Sequence, residues 1–124
     1  MELFYTKNHE WIGVDGDSSL IGITEYAVSQ LGDITFIELP AAETTVNRGD
    51  ILCTVESVKA ASDIYVPVSG TIKEVNTALE NAPETINSSP ESEGWICKIK
   101  PTNADNTEDL LNSEQYADHL KTLE

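Results

Sequence analysis

The sequence predicts a small, mainly β sandwich or barrel carrying helical additions. Three observations predict it. Short apolar runs recur every eight to twelve residues and are separated by Gly, Pro, Asn and Asp. Helical spacing is confined to short stretches after Thr24 and near the C-terminus. The run Ile51 to Val66 is nearly symmetric about Lys59, with Gly49-Asp50 before it and Ser69-Gly70 after it. Mirrored turns of this kind suit two quasi-equivalent halves of a flattened barrel.

Residues 3–16 read as a hairpin, in which Trp11, Ile12 and Val14 are strand residues and Gly13 and Asp15-Gly16-Asp17 supply turn chemistry. Leu20-Ile21-Gly22-Ile23 is a short strand. Thr24 then caps a helix whose first turn holds Glu25 and whose end is marked by Gly32. Ala27, Val28 and Leu31 give that helix one apolar face, and at about two turns it depends on packing rather than propensity. Ile34 to Leu39 alternates as a strand and Pro40 ends it. Val46 leads into a turn at Asn47-Arg48-Gly49-Asp50, and the lysine hairpin follows, closed by Pro67-Val68-Ser69-Gly70. Thr71 to Val75 is a further strand. Residues 76–94, rich in Asn, Pro, Ser, Glu and Gly, read as a long surface loop with one helical turn near Pro83 to Ile86; a loop of that length is functional or pinned. Gly94 to Lys100 is the last strand, ended by Pro101. In the tail, Thr107 can cap a turn ending near Leu111, and Ser113 can cap a helix that docks through Tyr116, Ala117, Leu120 and Leu123. The whole is read as one domain, 1–124, with a C-terminal helical segment from about 105 to 124.

Net charge is -15, from 22 acidic and 7 basic residues. Such a surface repels phosphate backbones and anionic lipid, so neither nucleic acid nor membrane is expected as a partner; it would steer partners with basic patches. No apolar run is long enough for a membrane span. The N-terminal residues lack the features of a signal or transit peptide, and a cytoplasmic location is expected. Cys53 and Cys97 lie inside apolar runs, as buried, reduced thiols. There is no CxxC, and His9 and His119 are far apart, so a metal site is not expected.

The lysine hairpin has a specific register. With Val58-Lys59 as the central turn residues, Cys53 faces Ile64 and Ile51 faces Val66, which places the apolar residues on one face and Thr54, Asp63 and Tyr65 on the other. A shift by one residue would destroy that segregation. Ser57, Ala60, Ala61 and Ser62 leave the tip sterically open, and Glu56 and Asp63 are the nearby charges, so a modifying enzyme meets one distinguishable amine.

Glu56-Ser57-Val58-Lys59-Ala60-Ala61-Ser62-Asp63 resembles the lipoylation motif of the glycine cleavage system H proteins. The resemblance continues through Tyr5 to Trp11, Gly22-Ile23-Thr24, Leu31 to Ile34, Glu38-Leu39-Pro40, Pro67 to Gly70, Glu74-Val75-Asn76, Ile86-Asn87 and Glu93-Gly94-Trp95, nearly the whole chain in order. It implies a lipoyl/biotinyl-type flattened β-barrel (a barrel-sandwich hybrid) with a short internal helix and C-terminal helices. It implies lipoate in amide linkage to Lys59, with Glu56, Ser57, Val58, Ala60 and Asp63 as the recognition motif. The carrier would take the aminomethyl group of glycine from the P protein, a glycine decarboxylase, to the T protein, an aminomethyltransferase. The L protein, a dihydrolipoyl dehydrogenase, would reoxidise the lipoyl group, and a lipoate-attaching enzyme would install it. On this resemblance the chain is a non-catalytic, monomeric shuttle. The resemblance further implies that Glu10 and Asp63 belong to a cleft that shelters the loaded arm, where a carboxylate suits a cationic amine. Glu10 could instead be a solvated strand-end acid, and Asp63 a turn-side acid that serves only solubility. His9 is expected to pack near Trp11. Some relatives place a histidine where this chain has Gln30, so that position is assigned no role.

Other carriers fit less well. Biotinylated lysines sit between two methionines, whereas Lys59 lies between Val58 and Ala60. Lipoyl domains of 2-oxoacid dehydrogenases place an acid directly before the lysine and lack the helix at 24–31. An alternative role on the same scaffold is a lipoyl relay, donating lipoate to such carrier domains. No Ser-His-Asp set or P-loop points to an enzyme.

Overall fold

The computed structural model describes residues 2–102 and 110–123. Strands β1 (Glu2–Tyr5), β2 (Glu10–Asp15), β3 (Ser18–Ile23), β5 (Thr45–Val46), β8 (Gly70–Val75) and β9 (Cys97–Pro101) form one antiparallel sheet in the order β1-β2-β3-β9-β8-β5. Strands β4 (Ile34–Glu38), β6 (Ile51–Ser57) and β7 (Ala61–Tyr65) form a second, ordered β4-β6-β7. Two unclosed sheets enclosing one core are the flattened barrel-sandwich arrangement expected from the sequence. Ile21, Ile72, Ile99 and Cys97 from the first sheet and Ile37, Val55, Cys53 and Ile64 from the second belong to one buried cluster. A second cluster of Tyr5, Trp11 and Tyr116 attaches the C-terminal helix, with the Tyr5 and Tyr116 rings stacked at 4.5 Å.

Local chemistry accounts for the elements. β2 and β3 are joined through Gly16-Asp17, and Gly16 takes the positive φ of 63° that suits a tight hairpin turn. Gly13 is a strand residue rather than a turn residue: it pairs with Leu3 on one side and Leu20 on the other. Helix α1 (Glu25–Leu31) is capped as expected, since Thr24 Oγ1 accepts the Ala27 N–H and Gly32 ends it at φ 79°.

The segment 76–94 is more ordered than its composition suggests. Beside helix α3 (Thr85–Ser88), near the expected turn, it forms helix α2 (Ala78–Asn81). Leu79 and Ile86 are fully buried, so this segment runs along the surface but is pinned, plugging the core with two of its side chains. The last strand starts later than expected, because Gly94 and Trp95 are turned back by bonds from their N–H groups to Ser89 and Ser92 carbonyls. Helix α4 (Ser113–Lys121) is capped by Asn112, not Ser113, through a reciprocal capping box with Gln115. It docks through Tyr116 and Leu120; Ala117 is exposed, and Leu123 is exposed because the helix ends at Lys121. The turn expected at Thr107 lies outside the described residues.

Candidate functional site

The lysine hairpin has the register that alternation requires. Cys53 pairs with Ile64, Thr54 with Asp63, Val55 with Ser62 and Glu56 with Ala61, which leaves Val58-Lys59 as the two turn residues. One expectation fails at the far end. Ile51 pairs with Tyr65 rather than Val66, because the register shifts between Ile51 and Cys53. The irregularity turns both Leu52 and Cys53 inward and leaves Ile51 57 % exposed.

Ser57 locks the turn. Its backbone N–H donates to the Ala60 carbonyl at 2.8 Å, and its hydroxyl donates to the same carbonyl at 3.0 Å. Ser57 Oγ also accepts the N–H groups of Lys59 and Ala60. Val58 is held from the other side, where its N–H donates to the Asp33 carbonyl at 3.0 Å. Lys59, Ala60 and Glu56 are exposed, and Val58 is 66 % exposed. The lysine stem passes over Gly32: a β-carbon at that glycine would lie 3.4 Å from Lys59 Cε. No ion pair holds the ammonium group among the described residues.

Two hollows lie on the β7 side of this hairpin. The smaller, about 150 Å³, is lined by Asn8 and His9, by Ala27, Gln30 and Leu31 of α1, and by Ser62 to Ile64 of the hairpin. Asp63 is exposed at its wall and accepts a bond from Thr54 Oγ1 at 3.1 Å. The larger, about 370 Å³, contains Glu10 with Thr6, Arg48 and Tyr65. Asn8 lines both hollows, whereas Glu10 and Asp63 line one each.

Glu10 is not a solvated strand-end acid. It is 2 % exposed. Burial raises its pKa, opposed by the bond from Thr6 Oγ1 at 2.7 Å and by a bond from the Tyr65 backbone. His9 packs against the Tyr26 and Tyr116 rings rather than Trp11; its Nδ1 is 2.8 Å from the Tyr116 hydroxyl, which in turn is 2.7 Å from Thr24 Oγ1. Burial, then the neighbouring His119, lowers the His9 pKa.

Several residues that shape this site carry no strong sequence signal. Glu91 joins three segments, since Oε1 accepts the Tyr5 hydroxyl and Oε2 accepts the Glu25 N–H at the positive end of α1. Asn76 donates to the Glu93 and Trp95 carbonyls, and Asn87 reaches the bend after α1. Asn76 and Asn87 stand in segments that carry the family resemblance and Glu91 does not, and none of the three pairings can be read from the sequence because each depends on tertiary placement. Burial pushes the Cys97 thiol up to about 12 and raises Cys53 as well, so both are inert core thiols.

An exposed lysine on a locked two-residue turn, carried by two facing sheets and set beside hollows, is the arrangement that a small β carrier domain requires. Similarity to known proteins identifies which one. The glycine cleavage H-protein family model matches residues 3–123. The Thermus thermophilus glycine cleavage system H protein is 49 % identical, over 96 % of this chain and 93 % of that one. The Halothermothrix orenii glycine cleavage system H protein is 48 % identical, over 98 % of this chain and 95 % of that one. The crystal structure of the Mycobacterium marinum glycine cleavage system H protein superposes with a TM-score of 0.88 at 38 % identity, covering 97 % of each chain. The chain belongs to the glycine cleavage H-protein family and is a carrier protein of that system.

Proposed function

We propose that Lys59 is the lipoylated residue and that the chain, as a single carrier domain, shuttles the aminomethyl group of glycine from the P protein to the T protein. The observation that carries this reading is the placement of Lys59 in the two-residue turn between β6 and β7, exposed and with no ion pair among the described residues. The residues present fit lipoate: an open amine for the amide link, a glycine under the stem, and hollows for the arm's end. When bound, the dithiolane supplies the redox and group-carrying chemistry, and the L protein would restore its oxidised form.

The chain's own residues bind, orient and shelter. Ser57 and the Asp33 carbonyl hold the turn so that one amine is offered to a lipoate-attaching enzyme. Glu56 and Asp63 supply negative charge on either side of it, and Val58 and Ala60 keep the approach uncharged. Asp63 sits at the smaller hollow and Glu10 at the larger, and at either one a carboxylate would pair with the cationic amine at the arm's end. No side chain here is asked to break a bond, which makes the protein a non-catalytic subunit. The acidic surface favours partner enzymes with basic docking faces, and the inert buried thiols suit a reducing cytoplasm. No described helix is long and apolar enough to cross a membrane. A monomer suffices for this role. The family match favours the shuttle over the lipoyl relay.

Intact-mass measurement of protein from lipoate-fed cells tests the site. One lipoyl adduct is expected, and Lys59→Arg removes it. An adduct at Lys7, Lys73 or Lys100 in its place overturns the assignment. Glycine–bicarbonate exchange with the P protein tests the role, and absence of exchange by fully lipoylated protein would defeat the shuttle.

A further inference from the structure

Asn87 lies on α3, away from the lysine hairpin in sequence, yet its carboxamide closes both ends of the bend between α1 and β4. Oδ1 accepts the Ile34 N–H at 2.8 Å, and Nδ2 donates to the Gly32 carbonyl at 2.9 Å. Asp33, between them, is the residue whose carbonyl accepts the Val58 N–H at 3.0 Å. Gly32 is also the residue over which the stem of Lys59 lies, with Cε 3.4 Å and Cδ 3.6 Å from the position of a β-carbon there. The bend thus supports the lysine turn by one hydrogen bond and one packing contact, and Asn87 supports the bend.

We propose that Asn87 is a positioning residue for Lys59, acting through the bend 32–34. The chemistry is selective. The bend offers one donor and one acceptor, and a short carboxamide supplies the complement to both. An aspartate would keep the bond from Ile34 and set a carboxylate oxygen against the Gly32 carbonyl. The ladder holds this end of β4 at one pair, Ile34 opposite Ser57, before the β4–β6 register shifts between Ile34 and Phe36. Asn87 can act as a fixed point because α3 is itself anchored: Ile86 is fully buried, and Gly94 packs so closely on it that a β-carbon would lie 3.0 Å from Ile86 Cα. The plug segment therefore does more than fill the core. It carries a rigid link from the core to the underside of the modification site.

The inference rests on Lys59 being the lipoylated residue only in the second of two measurements. Asn87→Asp and Asn87→Ser are made in the full chain. The first measurement is amide hydrogen exchange by NMR. Loss of a half-buried hydrogen bond should speed exchange at the Val58 N–H about tenfold in both variants. Val55, in the middle of β6, should stay within about twofold of wild type. The second is the rate of lipoylation by a lipoate-attaching enzyme. Exchange counts the rare open form, whereas KM follows where the closed turn rests; losing the bend's support should leave the closed turn in the competent arrangement about a third of the time, so KM for the carrier should rise about threefold while kcat is unchanged. Wild-type exchange at Val58 in both variants overturns the proposal. Equal acceleration at Val58 and Val55 also overturns it, because Asn87 would then merely hold the fold together. Faster exchange at Val58 alone with an unchanged KM overturns the role in presenting Lys59. A wild-type protein that is not lipoylated at Lys59 refutes the cofactor reading instead, and the exchange data still decide whether Asn87 orders the turn.

Discussion

Gly22→Ala tests how rigidly β2 is joined to the segment 76–94. Gly22 lies in β3 against Trp11 of β2, and a β-carbon there would come within 2.5 Å of Trp11 Nε1, 2.7 Å of Cε2 and 2.8 Å of Cζ2. Ordinary contact needs about 3.4 Å or more, so the indole must move by most of an ångström. It has nowhere to go: Trp11 is fully buried, and its Nε1–H donates to the Pro90 carbonyl at 2.9 Å. Overpacking of a dense core costs about 1–3 kcal/mol, and stranding the indole N–H and its acceptor costs about 1–3 kcal/mol more. We expect a total near ~3 kcal/mol from these two terms, since the indole relaxes by giving up part of each. For a chain of this size that lowers Tm by about 10 °C, and at a urea slope of ~1.5 kcal/mol/M it moves the midpoint by about 2 M. Urea unfolding followed by Trp fluorescence reads the shift directly. Because Pro90 precedes Glu91, which holds α1, amide exchange should also quicken between residues 84 and 95. A loss below ~1 kcal/mol with unchanged exchange in that segment would mean that the sheet absorbs the methyl group by backbone movement; the rigid Trp11–Pro90 link would then be refuted.

Glu10→Gln should reverse a pH penalty. The folded-state pKa of Glu10 is raised above its ordinary 4.5, so its stabilising balance is present below that value and is lost as pH rises through the folded value. The variant should match wild type within ~0.5 kcal/mol near pH 4, then gain on it as pH rises and level off; urea midpoints from pH 4 to 8 check this, and a gap that narrows with rising pH would contradict it. His9 behaves in the opposite sense. Its folded pKa is lowered from 6.5 by burial and by His119, with Tyr26 and Tyr116 also against the ring; wild type should lose stability as pH falls below about 6.5. His9→Asn keeps a residue tolerant of the φ of 70° at this position. It should forfeit about 1 kcal/mol at pH 7.5 with the Tyr116 bond and show a shallower acid loss; equal acid slopes by circular dichroism would refute the assignment.

Much of this was legible along the chain because the signals are local. Period-two alternation around Lys59 determines the hairpin register, since Thr54, Asp63 and Tyr65 cannot exchange faces with Val55 and Ile64. Thr24 and Gly32 bracket α1 by capping chemistry alone. The irregularity at Leu52 was not legible, because an extra inward residue looks like a simple apolar run. Nor was the plug at 76–94: its polar composition hides two apolar residues, Leu79 and Ile86, whose burial depends on the sheets that surround them. The site divides in the same way. Lys59 is marked by its own neighbours, whereas Glu10 becomes a buried acid only when Thr6 and the Tyr65 backbone close around it. Asn87 acquires a role only from the bend it faces.

Helix α1 is held at its start by Thr24 and Glu91 and just past its end by Asn87, although it spans only the 7 residues Glu25–Leu31. A wall fastened this way does not have to be ordered when something settles against it. On the proposed reading, the loss of freedom on docking then falls on the tethered arm alone, and its attachment has already removed the translational part. A short flexible tether gives its free end a local concentration of roughly millimolar. Contacts of only millimolar strength would therefore keep the cargo sheltered about half the time. Such weak holding leaves the arm free to depart on each encounter with a partner enzyme, with no gate to open.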